Sequence, residues 1–256
     1  IGRAYLGKHD LEQAEWYFRK ALEIEPRFAG AYVKIGQITK LRKDVFQAIR
    51  NFRQALTIQP GYSEALVELG KIYQSQQRYD EAIEVFEQVQ ENSQQYQFAL
   101  ESLVNLYSRQ EDFASVISRA VKLIKLDYKN NRVRYLLGQA YAKRGELDNA
   151  ALHFRELILA DSNFGRAQID LGYVYMLSNS FEDALQQFNA AKHVDPVKIE
   201  AHIGCAVVYQ LQENYAQAIE EIKGALADVP DNQRVRFILG NIYVCLLYTS
   251  PSPRDS

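Results

Sequence analysis

Two cysteines in 256 residues exclude a disulfide framework, although they leave the compartment open. No apolar run approaches the ~20 residues needed to cross a bilayer as a helix, so no membrane span is expected. Neither sign of charge dominates. The 30 Lys and Arg are interspersed with 32 Asp and Glu for a formal net charge of −2, which gives no broad basic face for nucleic acid. Histidine is scarce: His9, His153, His193 and His202 include no pair at the i, i+4 spacing that presents two ligands to one metal. There is no Gly-rich phosphate loop and no nucleophile elbow. Carboxylates such as Glu81, Glu84 and Glu220 are spaced as solvated helix faces. No catalytic group, cofactor or metal is therefore expected, and the chain does not read as an enzyme.

What is present is a pattern. Residues 165–198 hold one helical run, a polar break at 178–180, a second helical run and a closing Pro196. Leu171, Gly172 and Tyr175 share a face of the first run, and Ala184, Phe188 and Ala191 a face of the second. The small residues Gly172, Ala184 and Ala191 let two helix backbones approach, with Phe188 and Tyr175 filling the space beside them. Pro196 cannot continue a helix and turns the chain. Such a hairpin has one apolar side that it cannot bury alone, so it needs copies of itself.

The copies recur every 34 residues without a gap. The glycine stands at Gly2, Gly36, Gly70, Gly138, Gly172 and Gly240, and the tyrosine three later at Tyr5, Tyr73, Tyr107, Tyr141, Tyr175, Tyr209 and Tyr243. The second-run alanine stands at Ala14, Ala48, Ala82, Ala150, Ala184 and Ala218, and the aromatic four beyond it at Phe18, Phe52, Phe86, Phe154 and Phe188. The closing proline is Pro26, Pro60, Pro196 or Pro230.

This pattern resembles the tetratricopeptide repeat family over residues 1–244. The resemblance implies an all-α fold, a right-handed superhelical solenoid of antiparallel helix pairs with the first helix of each pair on the concave side. The units fall at 1–28 (partial), 29–62, 63–96, 97–130, 131–164, 165–198, 199–232 and 233–244 (partial), giving fifteen helices and no strand. Unit 63–96 ends in polar residues 92–95 instead of a proline. Unit 97–130 diverges: Val104 replaces the glycine, Val116 the alanine and Tyr128 the proline. Ala120 there stands where Phe is usual and Leu123 where Ala is usual, a volume-conserving swap. Residues 245–256, CLLYTSPSPRDS, leave the register and resemble a translated sequencing adapter. They are expected to be a non-native or disordered tail, with the natural chain continuing at both ends.

Function then falls to recognition. The side of the first helices opposite the core is polar early in the chain, at Gln37, Lys40, Glu64, Lys71 and Gln74. It turns apolar later, at Tyr135, Ile169, Tyr173, Met176, Leu177, Ile203, Val207, Leu211 and Phe237, flanked by Arg132, Arg166 and Arg234. Two readings stay open: contiguous apolar surface rimmed by charge marks an interaction site, whereas a helix apolar all round is by default buried. The resemblance implies a scaffold that binds a peptide or helix in a concave groove. A regulatory or substrate-docking region of a larger enzyme is the alternative, and self-association into a homo-oligomer through the same face is a third. The family's chaperone-binding members hold a C-terminal carboxylate with Lys and Asn, then Asn, then Lys and Arg, on successive first helices. The matching positions here carry residues such as Val33, Gln37, Glu68, Glu101 and Asn105, which disfavours a chaperone-tail clamp. Cys205 takes a position filled by Ile or Leu elsewhere and reads as core.

Overall fold

The computed structural model describes residues 2–7 and 10–249, and it packs them as two compact units, one ending at Tyr128 and one beginning at Lys129. Unit 1 holds α1 (Gly2–Gly7), α2 (Leu11–Ile24), α3 (Ala29–Leu41), α4 (Val45–Ile58), α5 (Ser63–Ser75), α6 (Tyr79–Glu87), α7 (Tyr96–Arg109) and α8 (Phe113–Leu126). Unit 2 holds α9 (Asn131–Lys143), α10 (Leu147–Ala160), α11 (Gly165–Leu177), α12 (Phe181–Ala191), α13 (Lys198–Leu211), α14 (Tyr215–Asp228) and α15 (Gln233–Thr249). Among the described residues there are thus fifteen helices and no strand, and each unit is a helical solenoid in which every helix packs on its predecessor and successor. Residues 245–249 extend α15, with Leu246 half-buried against the cluster around Ile222; residues 250–256 and His9 lie outside the described residues.

The register of the repeat is set where each hairpin turns. After α3, the Asp44 N–H donates to the Thr39 carbonyl and the Lys43 N–H to the Lys40 carbonyl, both at 2.9 Å, the bond pair of a Schellman motif. The outer bond recurs from Arg78 to Tyr73, Asp112 to Tyr107, Glu146 to Tyr141, Ser180 to Tyr175 and Asn214 to Tyr209. The repeating tyrosine therefore supplies the accepting carbonyl. The residue at positive φ is in turn Lys43, Gln77, Glu111, Gly145, Asn179 and Glu213. Asp44, Asp112 and Asn214 then cap the next helix, accepting from the N–H of Gln47, Ser115 and Gln217. One residue ends one helix and starts the other.

In four of the repeats the glycine and the phenylalanine meet across the hairpin. A Cβ placed on Gly36, Gly70, Gly138 or Gly172 would lie 2.6–2.8 Å from the ring of Phe52, Phe86, Phe154 or Phe188 respectively. The ring needs the room that a missing side chain leaves, and these four phenylalanines are among the largest fully buried side chains. In the divergent unit both partners change together, to Val104 and Ala120, and both are fully buried with Leu123. The polar turn after α6 is held by Ser93, whose hydroxyl accepts from the Gln95 N–H at 3.1 Å.

Candidate functional site

First helices of successive pairs adjoin one another, α3 with α5 in unit 1 and α11 with both α9 and α13 in unit 2, so their outward sides form a continuous inner face in each unit. In unit 1 this face is a ladder of ion pairs. Lys34 Nζ lies 2.7 Å from the Glu64 carboxylate, which also accepts from Gln37 at 2.9 Å. Glu68 takes Lys40 at 2.5 Å and Lys71 at 2.9 Å. Burial alone would raise the Glu68 carboxyl, but the bonds and charges of the two lysines hold it below the usual carboxylate range.

Unit 2 is built differently. Leu177, Leu211 and Phe237 are more than half exposed, and Arg132, Arg166 and Arg234 are exposed beside them. Tyr173, Met176 and Val207 are half-buried. Ile169 and Ile203 are only 5% and 7% exposed, because the next first helix covers them: Ile169 packs with Ala201 and Cys205, and Ile203 with Ala206 and Val235. Those two are core residues, and burial between first helices claims that part of the expected surface. Tyr173 is shared between face and core, its ring standing edge-on to Phe188 at 5.2 Å. Arg166 reaches the Glu200 carboxylate at 3.7 Å.

Tyr135 does not simply add apolar area. Its hydroxyl donates to Asp170 Oδ2 at 2.7 Å and accepts from Gln139 Nε2 at 2.9 Å, while Gln139 also donates to Asp170 Oδ2 at 3.1 Å. Burial pushes the Asp170 carboxyl above the usual carboxylate range, and Glu200 adds to this; the bonds from Tyr135 and Gln139 and the charge of Arg166 offset only part. Asp170, Gln139 and Glu200 are site residues that apolar patterning passes over. The signal for Asp170 is its register: it occupies the repeat position of Glu68, three units on.

Cys205 is buried, and burial pushes its thiol up to about 11, the opposite of an activated nucleophile. Among the described residues no group of three His, Cys, Asp or Glu could hold a metal ion, and no helix is long and apolar enough to cross a membrane.

Three family models, each described as tetratricopeptide repeat, match residues 1–28, 42–105 and 102–164. A comparison with curated proteins returned no match. Among solved structures, a chain of Naa15/Naa10 bound to HypK-THB aligns with a TM-score of 0.72 at 16% identity, covering 94% of this chain and 38% of that one. The C-terminal part of a TPR repeat-containing protein from Cytophaga hutchinsonii aligns at 0.64 and 17% identity, covering 93% and 98%. The APC/C hetero-tetramer Cut9–Hcn1 aligns at 0.52 and 15% identity, covering 89% and 45%. At these identities the likeness shows the fold alone. This chain spans less than half the length of the Naa15/Naa10 and Cut9–Hcn1 chains that it matches.

Proposed function

Because this chain is a tetratricopeptide-repeat protein, we propose that it is a protein-interaction scaffold that holds an extended or helical peptide against the inner face of unit 2. The observation that carries this reading is the exposure of Leu177 and Leu211 beside Tyr173 and Met176, whose repeat positions in unit 1 hold Lys71 and Lys40 of the ion-pair ladder; Leu41, at the position of Leu177, is exposed in unit 1 as well. Exposed apolar side chains rimmed by arginine suit a partner with apolar anchors and acidic residues placed to meet Arg132, Arg166 and Arg234. The neighbouring folds include chains whose structures are complexes with other proteins, Naa15/Naa10 with HypK-THB and Cut9 with Hcn1, which supports assembly as the work of such a stack.

The test is selection of displayed random peptides on the immobilised chain, followed by affinities for variants. Phe237→Ala, Leu177→Ala and Arg166→Ala should each weaken a selected peptide by about 30-fold, as anchor truncations do. The Arg166 effect should shrink with added salt. Gln37→Ala and Lys71→Ala, in the unit 1 ladder, should matter little. Equal losses across all five would reject a face confined to unit 2.

A further inference from the structure

The two units place a carboxylate at the same repeat position and treat it in opposite ways. Glu68 is neutralised twice, by Lys40 and Lys71. Three units on, Asp170 takes the Glu68 position, Ala142 that of Lys40 and Tyr173 that of Lys71. Both cations have gone while the carboxylate has stayed. Among the described residues no lysine, arginine or histidine lies within ion-pair distance of Asp170. Arg166, one turn earlier, attracts it but pairs with Glu200.

We propose that Asp170 is the seat for a basic side chain, lysine or arginine, of the peptide bound on this face. Oδ2 already accepts from Tyr135 and Gln139, which fix the orientation of the carboxylate; among the described residues nothing donates to Oδ1. The residue is half-buried, so the carboxylate is partly desolvated yet still reachable. A partly desolvated carboxylate without a cation is disfavoured, and a partner's ammonium or guanidinium offsets that cost. Tyr173, one turn along the same face, offers its ring to the aliphatic stem of the incoming side chain. Burial raises the Asp170 carboxyl in the unoccupied chain, as expected of a group awaiting its counter-charge.

This seat rests on the reading of the unit 2 inner face as a peptide site, and a cycle of variants separates the two. Peptides selected by display on the whole chain are resynthesised with each Lys or Arg replaced by Gln. Both forms are titrated against the unmodified chain, Asp170→Asn, Glu68→Gln and Leu177→Ala. One basic residue should be worth at least about 30-fold on the unmodified chain and on Glu68→Gln, and close to nothing on Asp170→Asn. Asn keeps an acceptor for Tyr135, so Asp170→Asn should unfold no more easily than the parent at neutral pH; a loss of stability would show that the carboxylate serves the fold. Binding of the basic peptide, but not of its Gln form, should weaken as the pH falls into the raised range of Asp170. Selected peptides without a basic residue, or a Lys/Arg-to-Gln loss of equal size on Asp170→Asn, would overturn the seat while leaving the groove intact. If Leu177→Ala also leaves binding unchanged, or if no peptide is selected, the groove reading itself falls.

Discussion

An L-residue in the left-handed region costs about 1 kcal/mol, and this chain places one after nearly every first helix. Among the described residues at this turn position, only Gly145 escapes that cost, at φ 77°, with open space where a Cβ would stand. Lys43→Gly and Glu213→Gly should therefore each raise stability by about 0.5–1 kcal/mol, and Gly145→Ala should lower it by about 1 kcal/mol, read as shifts in the urea midpoint. His153 makes a second residue-scale case. Its ring stacks on Tyr141 with centroids 5.7 Å apart, and its Nδ1 lies 3.5 Å from the Glu156 carboxylate, which also pairs with the buried Arg134. Burial pushes the imidazole below its ordinary value; Glu156 opposes this and Arg134 adds to it. Below about pH 6.5 the unfolded chain thus takes up a proton that the folded chain resists. The contribution is fully present above that pH and is lost as the pH falls. His153→Phe keeps the stacking and should reduce the drop in urea midpoint between pH 7 and pH 5.

At the scale of the element, the hairpin depends on one contact between a missing side chain and a ring. Phe188 packs against Gly172, Gly204 and Tyr173 at once, so Phe188→Ala should cost roughly 3–5 kcal/mol. Gly172→Val drives a branched side chain into that ring and should be destabilising by itself. The divergent unit shows the compatible pair, Val104 with Ala120. The double variant Gly172→Val, Phe188→Ala should accordingly cost less than the sum of the singles, with a coupling of about 1 kcal/mol or more in a double-mutant cycle. Additive losses would mean that the two positions are packed independently. Tyr173→Ala is a poor test of binding for a related reason: its ring belongs partly to the Phe188 core, so the variant loses stability along with affinity.

For the whole molecule, nearest-neighbour packing predicts graded unfolding. Within each unit, each helix touches chiefly the ones before and after it, so a core defect should be felt locally and fade with distance along that unit. Phe86→Ala should speed amide exchange in α5 and α6, less so in α4 and α7, and leave α13 and α14 unchanged. Uniform acceleration over all helices would show that the chain unfolds as one cooperative body.

The sequence by itself determined what is local or periodic. Helix pairs, their 34-residue register and the packing of phenylalanine beside the small residues follow from spacing, because neighbours within a hairpin are neighbours in sequence. The polar-to-apolar change along the first helices was legible in the same way. Which of those apolar residues stay at the surface was decided only by the tertiary structure. Ile169 and Ile203 are covered while Leu177 and Leu211 are not, since coverage depends on how closely the next first helix approaches; Phe237, at the repeat position of the two isoleucines, is exposed on α15, the last described helix. The state of Asp170 was likewise out of reach of pattern. A carboxylate reads the same in any sequence, and whether it is neutralised or left waiting depends on which side chains of other helices end beside it: two lysines for Glu68, a tyrosine and an amide for Asp170.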